Sequence, residues 1–230
     1  MGTVMKIEMK ERYKPFDWRM VTDKTLWLTP CEESYYYVEK WRREGRYHVL
    51  DMGCGLGRHS LLFAKNGFKV TALDISDDAL TFLEKESEAQ NLPVCCINAN
   101  MERMPFLNQS FDCIFAMHSA GHADTEGMHR IMNEITRVLK PGGAVFITLC
   151  SKETWTYSES GLPKVDANTV IKTDGPEQGV PHFFVDKEDI QKLFSGFELV
   201  SVRHIDDCYS DGKWKNQKHY FIEARKNESC

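Results

Sequence analysis

Two short apolar runs each carry a carboxylate at or near their end, and three alternating glycines follow the first: Val49-Leu50-Asp51-Met52-Gly53-Cys54-Gly55-Leu56-Gly57-Arg58, then Val70-Thr71-Ala72-Leu73-Asp74. Aliphatic runs of this length, bounded by glycine, predict strands buried on both faces. The segment Arg58 to Lys65 after the glycines has helical spacing and stops at Asn66-Gly67. Glycine at alternate positions lets the strand-to-helix turn bend tightly and brings its backbone close to a ligand. This feature restricts the chain to an open, mainly parallel sheet with a ligand beyond the carboxyl ends of its strands.

The remaining segments alternate in the same way. Residues Glu32 to Arg43 read as an amphipathic helix whose aromatic face is Tyr35, Tyr36, Val38 and Trp41. Strands are expected at Tyr47 to Met52, Lys69 to Leu73, Val94 to Ala99, Phe111 to Ala116 and Ala144 to Cys150. Between them, Ser76 caps a helix running to about Gln90, with Asp77 and Asp78 where the helix dipole favours acids. A second helix over Glu126 to Leu139 ends at the turn Lys140-Pro141-Gly142-Gly143. Ser151 to His182 is rich in Gly and Pro and reads as loop; helix Asp186 to Phe194 and strands Phe197 to His204 and His219 to Arg225 follow. The polar link Asp206 to Gln217 has no helical pattern, so the last two strands should pair antiparallel, because a parallel crossover needs a helix-length connection.

Composition narrows the partners. A net charge of −5 over 230 residues gives no general attraction to nucleic acid or anionic membrane. The densest basic stretch, Lys213 to Lys218, faces Asp206, Asp207 and Asp211 and reads as a solvated turn. No apolar segment approaches the roughly 18 residues needed to span a bilayer. Met1 to Lys6 leads into charged residues without an apolar core, and Lys6 stands where a myristoylation pattern needs Ser or Thr, so a cytoplasmic protein is expected. The eight cysteines contain no CxxC pair, and no metal site is expected.

The glycine turn with its two acids resembles the cofactor half-site of class I S-adenosylmethionine (SAM)-dependent methyltransferases. The resemblance extends through Asn100-Met101-Glu102-Arg103-Met104-Pro105-Phe106, Ser110-Phe111-Asp112-Cys113-Ile114-Phe115 and Leu139-Lys140-Pro141-Gly142-Gly143, in the order of that family's successive motifs. It implies an α/β, doubly wound, mostly parallel seven-stranded sheet with one antiparallel strand. The implied organisation is a single domain: a helical lid segment over 1–46, a cofactor-binding core over 47–150, a substrate-covering insertion over 151–185, and a C-terminal helix and strand pair over 186–230. In the implied site, Asp51 helps hold the methionine amino group; Gly53, Cys54 and Gly55 supply backbone contacts to the cofactor, which Gly57 also binds; and Asp74 accepts from both ribose hydroxyls. Ile75 packs on adenine, Asn100 accepts from its amino group in place of the commoner Asp, and Met101 offers its backbone N–H. Ala116, Met117 and His118 line the methionine and methyl end.

The implied reaction is methyl transfer to a small-molecule acceptor by in-line displacement, with S-adenosylhomocysteine as product. Such a displacement needs a base only when the nucleophile arrives protonated. His118 and His122, just past the fourth expected strand, and His182, at the close of the insertion, are the candidate catalytic residues. Phe16, Trp18, Trp27, Tyr35, Trp155, Tyr157, Phe183 and Phe184 could roof the acceptor. The fourth strand is followed by Ala116-Met117-His118-Ser119, not by the Asn/Asp-Pro-Pro-aromatic motif of amino-group methylation on adenine or glutamine. Two rival readings remain: a SAM-binding regulatory or scaffold protein, and an NAD-dependent oxidoreductase. The GxGxG spacing departs from the GxGxxG of the latter.

Overall fold

The computed structural model describes residues 14–208 and 214–228. Met1 to Lys6, and Asp211 and Lys213 of the basic turn, lie outside the described residues. The strands are β1 (His48–Met52), β2 (Lys69–Asp74), β3 (Val94–Asn98), β4 (Phe111–Ala116), β5 (Leu139–Ser151), β6 (Thr169–Ile171), β7 (Pro181–Val185), β8 (Phe197–Asp206) and β9 (Lys218–Lys226). The helices are α1 (Thr25–Leu28), α2 (Glu32–Arg43), α3 (Arg58–Lys65), α4 (Asp77–Ala89), α5 (Thr125–Val138), α6 (Trp155–Ser158) and α7 (Lys187–Leu193). Side-chain oxygens of Ser76, Asp124 and Asp186 cap α4, α5 and α7, and Asp186 forms a reciprocal capping box with Asp189.

Strands β3, β2, β1, β4 and β5 lie side by side and parallel. Strand β9 runs antiparallel along β5 from Ala144↔Arg225 to Cys150↔His219, and β8 pairs antiparallel with β9. The seven expected strands are therefore present with their single reversed member. The sheet also holds two strands that were expected to be loop: β7 joins β5 in parallel at Cys150↔Phe184 and Ser151↔Val185, and β6 pairs antiparallel with β7. Local pattern hides them for two reasons. Strand β7 opens on proline, tolerated only where no ladder N–H is needed, and its partner is the far tip of β5, past the end of the β4 ladder at Ala116↔Ile147. The expected turn at Lys140 to Gly143 lies within β5 and loops out of the ladder, where the register jumps from Phe111↔Leu139 to Cys113↔Ala144.

Alternation along each strand feeds two apolar layers. Leu50, Met52, Ile114 and Val145 face α5 and α7, packing on Met128, Ile131, Ile135, Ile190 and Leu193. Val49, Val70, Phe115 and Phe146 face the opposite side and meet Tyr37, Trp41 and Phe63 from α2 and α3. The inward face of α2 is Ser34, Tyr37, Val38 and Trp41, a helical i, i+3, i+4, i+7 stripe; Tyr35 and Tyr36 point outward at 53% and 58% exposure. Among the described residues, no helix is long and apolar enough to cross a membrane.

Candidate functional site

A cavity of about 500 Å³ opens at the carboxyl ends of β1, β2 and β4, within the range of small-molecule and cofactor sites. Its floor is the first strand-to-helix turn. Gly53 and Gly55 hold φ at 73° and 52°, and both line the cavity. A Cβ on Gly53 would stand 2.3 Å from Ser119 Cβ, and one on Gly55 would stand 3.0 Å from the Trp18 indole. We expect Gly53→Ala to lower stability by about 2–3 kcal/mol, combining left-handed backbone strain with overpacking. Urea denaturation measures this directly, and a cost near zero would show that the turn has room to spare. Gly57 serves another purpose: it opens α3 at φ 82°, its missing Cβ makes room for Leu83, and it does not line the cavity.

Asp74, at the tip of β2, ties this floor together. Its Oδ2 accepts from Gly55 N at 2.8 Å and its Oδ1 from Ser76 N at 2.9 Å. Burial raises its pKa, while the backbone donors Ser76 and Gly55 oppose the rise. Each carboxylate oxygen keeps a further lone pair, so the group can still accept from two vicinal hydroxyls. Ile75, Asn100 and Met101 line the same wall. Asn100 Oδ1 already accepts from Glu102 N at 2.8 Å, which braces the loop and leaves one lone pair for a ligand. Glu102 was not expected at the site: Oε2 accepts from Arg130 Nε at 2.8 Å, while Oε1 is buried without a hydrogen-bond partner among the described residues.

Two other expected residues stand behind the wall. Asp51 is buried, accepts from Ser60 Oγ at 2.6 Å, and does not line the cavity. Burial pushes its pKa up to about 6 against the pull of Ser60. Ala116 is fully enclosed at the end of β4. Cys54, Met117 and His118 do reach the cavity, and burial holds the Cys54 thiol well above its ordinary pKa.

The far end of the cavity is built from histidines. His118 holds φ at 53°, uncommon for a residue with a side chain, and its N–H donates to Thr148 Oγ1 at 2.7 Å. Desolvation by the enclosing protein, then the nearby His219, pushes its pKa down to about 3, so its imidazole is neutral at pH 7. Its ring meets that of His219 at 4.7 Å. His122 Nε2 and His182 Nε2 each lie 3.2 Å from a different oxygen of Glu177, and the two rings are 4.8 Å apart. Burial opposes ionisation of Glu177, yet the two imidazoles hold its carboxyl well below the usual carboxylate range.

All three expected histidines thus share one wall, together with Glu177 and His219, which local pattern does not reveal. Glu177 lies in the loop-rich segment, five residues before His182, and His219 arrives from β9 through its pairing with Cys150. Over the glycine turn, where Trp18 stands against Gly55, Phe16, Trp18 and Trp27 form an aromatic cluster with ring centroids 4.6–5.6 Å apart. Asp17 N donates to Pro176 O at 3.2 Å, joining this segment to the turn that carries Glu177. Of the other expected aromatics, Phe184 lines the cavity and Phe183 packs in the core. Tyr35 points outward, and neither Trp155 nor Tyr157 reaches the cavity.

Residues 49–143 match the model of a family described as methyltransferase domain. The chain is 29% identical over 121 residues to a ubiquinone biosynthesis O-methyltransferase of Coxiella burnetii, covering 53% of this chain and 51% of that one. It is 34% identical over 99 residues to an S-adenosyl-L-methionine-dependent Diels-Alderase of Talaromyces variabilis, covering 41% and 33%. The chain spans between a quarter and about half of the length of the curated relatives it matches. Its fold superposes on a SAM-dependent methyltransferase of Methanosarcina mazei with a TM-score of 0.70 at 22% identity, covering 87% of this chain and 99% of that one.

Proposed function

We propose that this chain, whose residues 49–143 match the methyltransferase-domain model, is a class I SAM-dependent methyltransferase that transfers the methyl group of SAM to a small-molecule acceptor and releases S-adenosylhomocysteine. One observation carries this reading: a strand-tip carboxylate, Asp74, is hydrogen-bonded to Gly55 N–H on the floor of a cavity whose turn admits no side chain. That arrangement suits a ribose with its vicinal hydroxyls. In this reading Gly53, Cys54 and Gly55 supply backbone contacts, Ile75 packs on the adenine, and Asn100 and Met101 hold its polar edge. Met117 and His118 border the methionine end. Asp51 acts from behind, through Ser60 and the turn, and Gly57 sets the start of α3. Asp74 and Glu102 along the cofactor wall favour a cationic ligand over a pyrophosphate.

The bound cofactor supplies a carbon already activated for displacement. The protein aligns the acceptor and excludes water, which is enough for a thiolate or amine. His118, His122 and His182 are assigned to contact with the acceptor. The neutral His118 orients it, and the end formed by His122, Glu177 and His182 is where an acceptor hydroxyl or thiol is polarised. We read the chain as one domain acting in the cytoplasm, with 1–46 and 151–185 enclosing the cavity of the 47–150 core and 186–230 completing the sheet.

Calorimetry with S-adenosylhomocysteine is expected to give saturable micromolar binding, with no heat from NADH and a change in Trp18 emission. Binding of NADH alone would overturn the reading. An acceptor panel of phenols, thiols and amines, followed by S-adenosylhomocysteine release, then separates an enzyme from a scaffold. The SAM-dependent Diels-Alderase among the relatives supports a second reading, in which the bound nucleoside is retained and no methyl moves. Tight cofactor binding with no turnover across the panel would favour it.

A further inference from the structure

We propose that His122, Glu177 and His182 form a binding site for a first-row divalent transition ion, with zinc(II) the best match, at the acceptor end of the cavity. One ligand-type atom from each residue falls within 4.8 Å of the other two. All three side chains line the cavity, so the coordination positions left open on the ion face the space the acceptor would occupy. Two imidazoles and one carboxylate, with open positions, are the donor set of catalytic zinc and non-haem iron sites.

The hydrogen bonding around His182 points to a cation. Its Nδ1 lies 3.1 Å from the Val180 carbonyl oxygen, and its Nε2 lies 3.2 Å from Glu177 Oε2. Both neighbours are acceptors. A neutral imidazole has one N–H, so whichever nitrogen carries it, a lone pair on the other is aimed at an oxygen. Placing the proton on Nδ1, donating to Val180 O, reproduces the backbone contact that orients most metal-bound histidines. The lone pair of Nε2 then faces Glu177 Oε2, and either a proton or a metal ion placed between them relieves the meeting of two acceptors. The two His–Glu177 contacts, each 3.2 Å and each to a different carboxylate oxygen, place both oxygens of Glu177 beside the imidazoles, so the carboxylate can bind the ion through either oxygen or both.

The three residues are also held in place before any ion arrives. Phe183 N donates to Gly121 O at 2.8 Å, tying the His122 loop to the strand that carries His182. His182 pairs with Val170 across β6 and β7. Val180 N donates to Glu177 O at 2.9 Å, closing the turn that presents the carboxylate. Lys172 Nζ stands 3.5 Å from Glu177 Oε2 and braces it from a further side.

The ion's position beside the acceptor rests on the methyl-transfer reading, but ion binding itself does not, and the two are tested by separate titrations. The full chain, freed of metal with a chelator, is titrated with zinc(II) and with magnesium(II), and independently with S-adenosylhomocysteine. One equivalent of zinc with micromolar or tighter affinity is expected, with no response to magnesium. Glu177→Gln, at a half-buried position that keeps its shape, and His182→Asn should each weaken zinc by roughly tenfold or more while leaving S-adenosylhomocysteine affinity within about twofold. The cobalt(II) form should lack a thiolate charge-transfer band. Absence of saturable zinc binding, unchanged affinity in both variants, or a strong thiolate band placing the ion on cysteine would each overturn the proposal. Loss of S-adenosylhomocysteine binding with zinc retained would count against the methyl-transfer reading alone.

Discussion

Asp74→Ala is expected to weaken S-adenosylhomocysteine binding by roughly 3–4 kcal/mol, or two to three decades in Kd. Two terms add. Hydrogen bonds from ribose hydroxyls to a carboxylate contribute on the order of 1.5–3 kcal/mol each. The same carboxylate accepts from Gly55 N and Ser76 N, so its removal leaves two amides on the cavity floor without their partner and loosens the turn that shapes it. Asp74→Asn separates these contributions. An amide keeps one acceptor oxygen but turns its NH₂ toward either Gly55 N–H or Ser76 N–H, so binding should fall between wild type and Asp74→Ala. Calorimetry gives the affinities, and near-UV circular dichroism checks that the variants are folded. A folded Asp74→Ala protein binding within about threefold of wild type would mean that the nucleoside sits elsewhere.

Phe115→Ala is expected to cost about 3–5 kcal/mol of stability, the usual range for deleting a fully buried aromatic ring. Phe115 is completely enclosed and meets five rings: Tyr37, Trp41, His59, Phe63 and Phe146, with centroids 4.9–6.3 Å away. These rings come from α2, α3 and β5, so relaxation around the gap would have to move three elements at once. For a chain of this size the loss corresponds to a fall in Tm of roughly 6–20 °C. Phe115→Leu, which keeps most of the volume, should cost much less. A loss below about 1 kcal/mol for Phe115→Ala would show that this layer repacks and does not hold the sheet between its helices. The position also lies one residue before Ala116 and three before His118, so the same variant should loosen the loop bordering the reacting end of the cavity.

The fold was readable in the chain where short-range rules apply. Strands β1 to β5 stand close to where apolar runs and glycines predict them, and Ser76 and Asp186 cap the helices expected to follow them. The reversed β9 follows from a connection too polar and irregular to make a parallel crossover. Tyr35 and Tyr36 were misplaced on the inward face of α2 because aromatic character outweighed helical phase; the buried stripe runs through Tyr37 and Trp41. Strands β6 and β7 escaped because a three-residue strand and a strand opening on proline carry almost no periodic signal, and the tip of β5 decides their pairing.

The site divides along the same line. Gly53, Gly55 and Asp74 lie within one βαβ unit, so their spacing alone brings them to one ligand, and the glycine turn can be recognised without coordinates. Asp51 belongs to that unit too, yet its side chain turns to Ser60 and leaves the cavity wall to others, which spacing could not show. The histidine end is non-local throughout. His118 meets His219 because β9 is in register with β5 at Cys150, and His122 meets His182 because Phe183 bonds Gly121. Side chains alternate faces along a strand, so a slip of one residue in either pairing would turn His219 or His182 away. Short-range propensity and turn chemistry chose the strands and the glycine floor; strand register, a property of the folded sheet, chose which polar groups meet above it.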